Sequence, residues 1–344
     1  MTRALAAAAA VVLIASAAQA QPIVTVPQPS PRARVEQTVG VTELSVTYNR
    51  PAVNKRKVWG GLVPWGEVWR AGANENTVLA SSTEFTVEGH KLPAGRYGLH
   101  LLPAEGGAWQ LIVSTIHTGW GSYGYDQKED AFRAAVKPEA APDVERLQYD
   151  FDDVTDNGAT LALRWEKLRV PIQIAVDTNE ATFAKLRAEL RGLPQFFPRA
   201  YSEAAGWLIA HDTHLDEAGQ WLEKGNGISP TFNGLMAKSK LLEKKGDAAG
   251  AQAARERAAT IATEVELNVF GYTLLQAGKT AEALAAFRKN AKDHPESWNV
   301  HDSLGEALEK AGEKKEAKES YRRALKLVKD EQQKARLQKV LANL

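Results

Sequence analysis

The stretch FGYTLLQAGKTAEALAAFRKNAKDHP (270–295) is matched further along the chain by LGEALEKAGEKKEAKESYRRALKL (304–327). When Gly271 is aligned with Gly305, which lies 34 residues later, four further positions coincide in residue type. These pairs are Leu274 with Leu308, Gly278 with Gly312, Ala283 with Ala317, and Phe287 with Tyr321. Small residues recur where two helices would cross, and a large residue recurs where it would lock them together. The pattern therefore predicts pairs of helices that repeat every 34 residues.

This period and these positions resemble the tetratricopeptide repeat. Two weaker copies precede the well-matched pair. The first is marked by Gly206, Ala218, Leu222 and Pro230, and the second by Ser239, Gly246 and Ala251. A last helix with Leu337, Val340, Leu341 and Leu344 on one face would cap the array. The resemblance implies an all-α solenoid over residues 177–344, and a generic helical bundle is the alternative.

Between residues 35 and 176 the dominant period is two instead. Typical runs are TELSVTY (42–48), TEFTVEG (83–89), WQLIVST (109–115) and ATLALRW (159–165). Short runs of this kind, separated by Gly, Pro or Asp, predict an antiparallel β-sandwich or barrel. The alternation ends at about Asp177, so we place the boundary between an all-β and an all-α domain there. Residues 21–34 contain four prolines and are predicted to form an extended tether.

Composition and the N-terminus bear on location and partners. Lys and Arg number 43 against 42 Asp and Glu, so no overall field attracts nucleic acid. The chain has no cysteine, which excludes disulfides, thiol catalysis and zinc–thiolate sites. Arg3, the apolar run 5–18 and the small residues ending at Ala20 are typical of a signal peptide cleaved after Ala20, with an uncleaved anchor as the alternative. We expect export to the bacterial periplasm or medium, with no membrane span in the mature protein.

Four segments of the predicted β-domain form a specific pattern. They are YNRP (48–51), VWGGLVPWGEVWRAGANE (58–75), LPAGRYGLHLLP (92–103) and the tryptophan of LRWEK, Trp165. In these segments the chain resembles the bacterial family DUF2911, a domain of unknown function, from about Ser30 to Val176. The resemblance implies an exported β-rich domain, followed in several members by helical repeats, and it implies no established activity. The residues that it emphasises are Arg50, Trp59, Trp69, Arg70, Asn74 and Glu75.

These six residues have the chemistry of a ligand site. Arginine presents a planar fork to carboxylate or carbonyl oxygens, and an indole offers a flat apolar face with one donor. Such a set can line a shallow pocket for a glycan or a peptide, and we predict that it does. The alternative is that Arg70 pairs with Glu75 or Glu67 and staples a long loop over buried tryptophans. A further alternative makes the β-domain purely structural.

The motif GWGSYG (119–124) is similar to two functional motifs, a dinucleotide-binding fingerprint and a serine-hydrolase elbow. It fits G-x-G-x-x-G and precedes the helix-like QKEDAFRAAV (127–136), but a dinucleotide site would need a βαβ unit that the sequence lacks. It also narrowly misses a serine-hydrolase elbow, because Trp120 stands two residues before Ser122 in place of glycine. Although His100 lies in the same domain, the sequence cannot place it beside Ser122.

Weak catalytic candidates remain in the β-domain. His117 and Asp126, together with Arg50 and Arg70, would provide a base, an acid and anion stabilisation for an envelope hydrolase acting on glycans or peptides. The motif HDTH (211–214) has no obvious third ligand, so we predict no metal site, and nothing indicates a cofactor.

The function that we predict is therefore binding rather than catalysis. Helical repeats commonly present a concave groove to a protein partner. The groove candidates, taken from inward positions of the first helix of each good repeat, are Asn268, Tyr272, Asn299 and Asp302. Their side chains could hold the backbone of an extended peptide. We expect an exported, non-enzymatic interaction protein whose β-domain recognises a ligand or an envelope component.

Overall fold

The computed structural model describes residues 26–344. The predicted signal peptide, 1–20, and residues 21–25 of the predicted tether lie outside this part of the chain. The described chain divides after Thr178 into two compact units. The first contains antiparallel sheets and the second contains helices, which confirms the predicted combination of an all-β and an all-α fold.

Ten strands build the β-unit within the described residues. They are β1 (Arg32–Val39), β2 (Thr42–Asn49), β3 (Thr77–Ser81), β4 (Phe85–Val87), β5 (His90–Leu92), β6 (Gly95–Leu102), β7 (Trp109–Ser114), β8 (Asp130–Val136), β9 (Glu139–Thr155) and β10 (Gly158–Ala175). One sheet has six strands in the order β1-β2-β3-β6-β7-β8, and the other has four in the order β5-β4-β10-β9. All neighbouring strands pair antiparallel.

The core of the β-unit follows from the period of two. On β10 the side chains of Leu161, Leu163 and Trp165 alternate inward and are at most 1% exposed. The two sheets meet where the ring of Tyr48 on β2 lies 4.8 Å from that of Tyr149 on β9. Alternation thus places one face of each sheet against the other, as the sequence predicts.

Two local predictions differ from the structure. The helix-like segment 127–136 is not a helix, because Gln127–Glu129 form a single 3-10 turn and the remainder is β8, paired with β7. Strand pairing in the sheet overrides the helix propensity of the alanines in this segment. In addition, β1 begins at Arg32, so the last three residues of the predicted tether belong to a strand.

Ten helices build the second unit within the described residues. They are α1 (Thr178–Glu189), α2 (Pro198–Ala210), α3 (Leu215–Ile228), α4 (Phe232–Lys244), α5 (Ala248–Ile261), α6 (Glu264–Gln276), α7 (Thr280–Asp293), α8 (Trp298–Lys310), α9 (Lys314–Leu327) and α10 (Glu331–Asn343). Consecutive helices from α2 to α9 pack as four pairs, and α10 packs on α9. No helix in residues 26–344 is long and apolar enough to cross a bilayer.

The recurring glycines have two separate structural reasons. Gly246, Gly278 and Gly312 follow the first helix of a pair with φ of 80°, 74° and 82°, a left-handed conformation that ends a helix readily only at glycine. Gly305 instead lies against the ring of Tyr321 on the second helix of its pair, and a Cβ added there would approach a ring carbon to 2.8 Å. The aligned Gly206 differs, because a Cβ added there would meet nothing within 4 Å.

This contrast predicts opposite effects for the same substitution. Gly305→Ala should lower the free energy of unfolding by about 1–3 kcal/mol through overpacking against Tyr321. Gly206→Ala should raise it by about 0.5–1 kcal/mol, because alanine favours the helix and has room. Urea unfolding followed by far-ultraviolet circular dichroism measures both changes. Shifts of equal sign in the two variants would contradict the packing difference.

Candidate functional site

Four tryptophans anchor the long loop between β2 and β3. The Trp59 ring centroid lies 5.7 Å from that of Trp69, 4.9 Å from Trp109 and 5.8 Å from Trp165. Trp69 stacks on Trp165 at 5.9 Å, and its indole N–H donates to the Gly72 carbonyl at 3.1 Å. Trp59 is only 8% exposed, so other indoles enclose its ring. The cluster fixes the loop over the core of the β-unit.

Polar contacts hold the rest of this loop. The Nε of Arg50 donates to the Leu147 carbonyl at 3.0 Å. The side-chain amide of Asn74 donates to the Ser30 carbonyl at 3.2 Å, and Glu75 accepts from the Asn49 amide at 2.9 Å. The alternative in which Arg70 staples the loop through an acid is wrong, because Arg70 forms no ion pair with any described residue. The loop is anchored without it.

The guanidinium of Arg70 therefore stands apart from its neighbours. Among the described residues it has no hydrogen-bond partner, and its Nε is buried. Burial lowers the pKa of Arg70, and the nearby Tyr123 acts in the opposite direction. A Cβ added at Gly121 would lie 3.2 Å from the Nη1 of Arg70, so this glycine leaves the guanidinium its space.

Arg70 meets a second loop, Gly119–Tyr125, which is fastened to the first. The backbone N–H of Gly121 donates to the Asn74 carbonyl at 3.0 Å, and that of Asn76 donates to the Gly119 carbonyl at 3.1 Å. Glu75 and Trp120 form an isolated antiparallel bridge. The second loop nevertheless leaves Trp120 61% exposed and Tyr123 87% exposed.

A buried histidine holds this second loop from beneath. His100 on β6 is 2% exposed, and its Nδ1 lies 3.1 Å from the Ser122 hydroxyl. Burial lowers the pKa of His100 to about 4, with Asp130 acting in the opposite direction. At neutral pH the imidazole is therefore uncharged, and its Nδ1 forms a hydrogen bond with the Ser122 hydroxyl as donor or acceptor. The sequence offered Ser122 as a signal in GWGSYG, but only the fold brings His100 to it.

The end of the loop is fixed by a separate polar network. The Tyr125 hydroxyl donates to the carboxylate of Asp130 at 2.8 Å, and the Nε of Arg133 donates to the same carboxylate at 2.7 Å.

The two residues predicted to be catalytic, His117 and Asp126, take no part in this network. Asp126 is exposed and caps the 3-10 turn through the Lys128 N–H at 3.0 Å, and His117 is half-buried. Within the described residues, no hydrogen bond or ion pair joins either of them to Arg70 or His100.

In the helical unit, two of the predicted groove residues bind the neighbouring repeat. The Tyr272 hydroxyl donates to Glu306 at 2.9 Å, and Asp302 pairs with Arg336. Both pairs join positions 34 residues apart, so they form a ladder along the array. Burial, and after it the carboxylate of Glu306, raises the pKa of Tyr272 to about 12. Asn299 is half-buried, and the amide oxygen of Asn268 is buried without a hydrogen-bond partner among the described residues.

A cleft opens between the first helices of the second and third pairs. α2 packs against α4 and α6 packs against α8, but α4 and α6 are not closely packed in the described array. The space between them has a volume of about 640 Å³. Its apolar lining comes from Phe232, Met236, Val265, Val269 and Phe270, and its polar rim includes Lys240, Glu243, Arg255 and Glu282.

The cleft exposes apolar side chains. Val265 and Val269 are 69% and 61% exposed and lie one turn apart on α6. The sequence alignment did not single them out, because they are not among the positions that recur between repeats. The signal available in the sequence was a pair of valines four residues apart on the first helix of a repeat, and the structure shows that both are exposed.

The burial of His100 predicts a pH dependence of the β-unit. Above pH 6.5 the histidine is neutral in both the folded and the unfolded chain, and the fold keeps its full stability. As the pH falls from 6.5 to about 4, the unfolded chain binds a proton at this histidine and the folded chain does not, so the free energy of unfolding decreases. The loss should reach about 3 kcal/mol. Amide hydrogen exchange in peptides from β6 and β7 measures it without interference from the helical unit.

The control for this prediction is His100→Asn, which keeps a polar group near Ser122 but does not titrate. Its exchange protection should fall less steeply across the same pH range. Equal pH slopes in wild type and His100→Asn would show that other groups cause the acid sensitivity.

Comparison with known proteins matches this division of the chain. Residues 30–174 match the family described as "Protein of unknown function (DUF2911)". Residues 299–330 match the tetratricopeptide repeat. No curated protein matches the chain.

Similar solved structures include PilF of Pseudomonas aeruginosa, with 20% identity and a TM-score of 0.26, over 38% of this chain and 60% of PilF. This chain therefore spans less than two thirds of PilF. YrrB, a tetratricopeptide protein with an unusual peptide-binding site, has 19% identity and a TM-score of 0.28, over 47% of this chain and 84% of YrrB. MamA has 17% identity and a TM-score of 0.29, over 46% of this chain and 92% of MamA. The family models therefore match one region in each unit, DUF2911 over residues 30–174 and a tetratricopeptide repeat over residues 299–330.

Proposed function

We propose that this chain is an exported, non-enzymatic interaction protein of the bacterial envelope whose helical unit binds a segment of a protein partner. Tetratricopeptide repeats suggest protein–protein interaction in general. The signal-like N-terminus, with Arg3 before the apolar run 5–18, supports export. The alternative of an envelope hydrolase would need His117 and Asp126 to act together with Arg70, and no contact that we describe joins them.

The observation that supports this proposal best is the cleft between α4 and α6. Burying a valine side chain that is now in water contributes about 1.5–3 kcal/mol when the burial is complete. Val265 and Val269 offer two such side chains, and Met236 on the opposite helix adds a flexible apolar surface. The partner segment would therefore place one or two apolar side chains in the cleft, as an amphipathic helix does in a hydrophobic groove.

Charged groups at the rim would orient the segment. Lys240 and Arg255 lie on one side of the cleft with Glu243, and Glu282 lies on α7. Because both signs are present, the rim favours a segment of mixed charge over a strongly acidic or basic one.

The groove residues predicted from the sequence take different parts in this proposal. Asn299 has a half-buried amide that we propose binds the backbone of a bound segment, whereas the buried amide oxygen of Asn268 would not be accessible to that segment. Tyr272 and Asp302 already bind Glu306 and Arg336, so we propose that they hold consecutive repeats in register. Their contribution to partner binding would be indirect.

Val269→Asp tests the proposal directly. The full chain, immobilised, would be exposed to an envelope extract of the source bacterium, and retained proteins would be quantified by mass spectrometry. A charge in the cleft should reduce retention of the partner at least tenfold, which corresponds to about 1.4 kcal/mol. The position is mostly exposed, so the fold should tolerate the change.

The matched control is Ile228→Asp. Ile228 is 49% exposed at the end of α3 and does not line the cleft. This variant should retain the partner as the wild type does. Equal retention by Val269→Asp and the wild type would remove the cleft from the proposal, and equal losses in both variants would point to a nonspecific effect of charge.

A further inference from the structure

We propose that the β-unit has a binding site for a carboxylate-bearing ligand, formed by the guanidinium of Arg70 with Tyr123 near it and with Trp120 exposed on the same loop as Tyr123. The site is independent of the cleft in the helical unit. Its parts come from the loop between β2 and β3, 50–76, and from the loop 119–125, which are fastened together.

The guanidinium of Arg70 is an unpaired charge among the described residues. Removing a guanidinium from water costs free energy unless an anion or hydrogen-bond acceptors replace the water. Three other partly buried arginines of the β-unit have such partners. Arg133 pairs with Asp130, and Arg164 and Arg169 both pair with Asp152. Arg70 has no such partner among the described residues, and its Nε is buried. A bound anion would supply the missing partner.

The fold also leaves room at this guanidinium. Gly121 has φ of 67° and faces Arg70, and a Cβ there would lie 3.2 Å from the Nη1 of Arg70 and 3.0 Å from the ring of Tyr123. A side chain at this position would fill the space between the arginine and the tyrosine. Glycine keeps open the approach to this unpaired guanidinium.

A firmly held loop next to this arginine presents exposed aromatic rings. Trp120 and Tyr123 are 61% and 87% exposed, which leaves apolar ring surface in water. Their loop is nonetheless fixed by the Gly121 N–H to the Asn74 carbonyl and by Ser122 to His100. A preorganised loop loses little conformational entropy when a ligand ring stacks on it. Flat apolar rings of this kind suit the face of a sugar or of another aromatic ring.

The charge of the surroundings selects the ligand. Arg70 is the single cation of residues 63–76 and 119–125, and the exposed Glu75 itself forms the isolated bridge with Trp120. A carboxylate carries one negative charge, which the single cation Arg70 balances, whereas inorganic phosphate carries between one and two negative charges near neutral pH, and the excess would be repelled by Glu75. The planar fork of arginine also matches the two oxygens of a carboxylate. The site therefore fits a monoanionic carboxylate carried next to a ring, as in a sugar acid or an aromatic peptide terminus.

The test uses the full chain and isothermal titration with five compounds. Glucuronate and N-acetylmuramate represent sugar acids, N-acetyltryptophan represents an aromatic peptide carboxylate, and inorganic phosphate tests the charge argument. Glucose serves as the uncharged counterpart of glucuronate. At least one carboxylate should bind the wild type, and glucose and phosphate should bind at least tenfold more weakly. The carboxylate that binds most tightly shows whether the ligand is a sugar acid or an aromatic peptide terminus.

Arg70→Met separates a binding role from a structural one. It removes the charge but keeps an unbranched side chain, and it leaves no described group without a partner. We expect binding of the carboxylate to weaken at least tenfold while the thermal midpoint without ligand stays the same or rises. Trp120→Ala, at an exposed position, should weaken the same binding without unfolding the chain. Arg133→Met is the structural control and should lower the midpoint, because it leaves Asp130 without its cation.

Three results would overturn the proposal. None of the three carboxylates binds the wild type, or phosphate binds as tightly as the best carboxylate, or Arg70→Met binds that carboxylate as well as the wild type does. A lowered midpoint in Arg70→Met with unchanged binding would assign Arg70 to the fold instead.

Discussion

The stacking of Trp69 on Trp165 is the contact on which the β-unit's loops depend. Trp165 lies in β10 of the four-stranded sheet, and Trp69 lies in the loop that leads into the six-stranded sheet. The loop has no strand of its own, so its position depends on buried side chains together with isolated backbone bridges, such as the one in which Trp69 and Leu101 exchange two hydrogen bonds of 2.8 Å. Once Trp69 is fixed, the next residue, Arg70, is held beside Gly121. The second loop is then fastened in turn through Asn74.

In the helical unit, side-chain contacts between neighbouring repeats hold the helices in place. The Tyr272–Glu306 and Asp302–Arg336 pairs repeat along the later part of the array and keep α6, α8 and α10 in register. Between α4 and α6 the rings of Phe232 and Phe270 lie 5.9 Å apart, and no polar pair of this kind joins the two helices among the described residues. The link from α5 to α6 is two residues, 262–263, whereas the link from α7 to α8 is four, 294–297. The cleft lies at this irregular joint, where apolar residues that would otherwise pack between repeats reach water.

Burial also separates the roles of chemically similar residues. Arg50 and Arg70 are both half-buried and both carry the family resemblance, yet Arg50 donates to a backbone carbonyl and Arg70 has no described partner. Trp59 and Trp120 are likewise both loop tryptophans, but one is enclosed by indoles and the other is 61% exposed. Residue type alone therefore does not distinguish an anchor from a ligand group, because the distinction depends on what surrounds the side chain.

The sequence by itself determined the two folds and their order, since periods of 2 and of 34 residues record which side chains are buried, and the glycines at 246, 278 and 312 record backbone conformation. These signals are local or strictly periodic. The strand at 130–136, the contact of His100 with Ser122 and the cleft beside Val269 were decided by tertiary structure. Each depends on residues that are brought together from separate elements, and no single segment encodes the distance between them. The physical reason is that burial and pairing are properties of the packed chain, and they override local propensity wherever the two disagree.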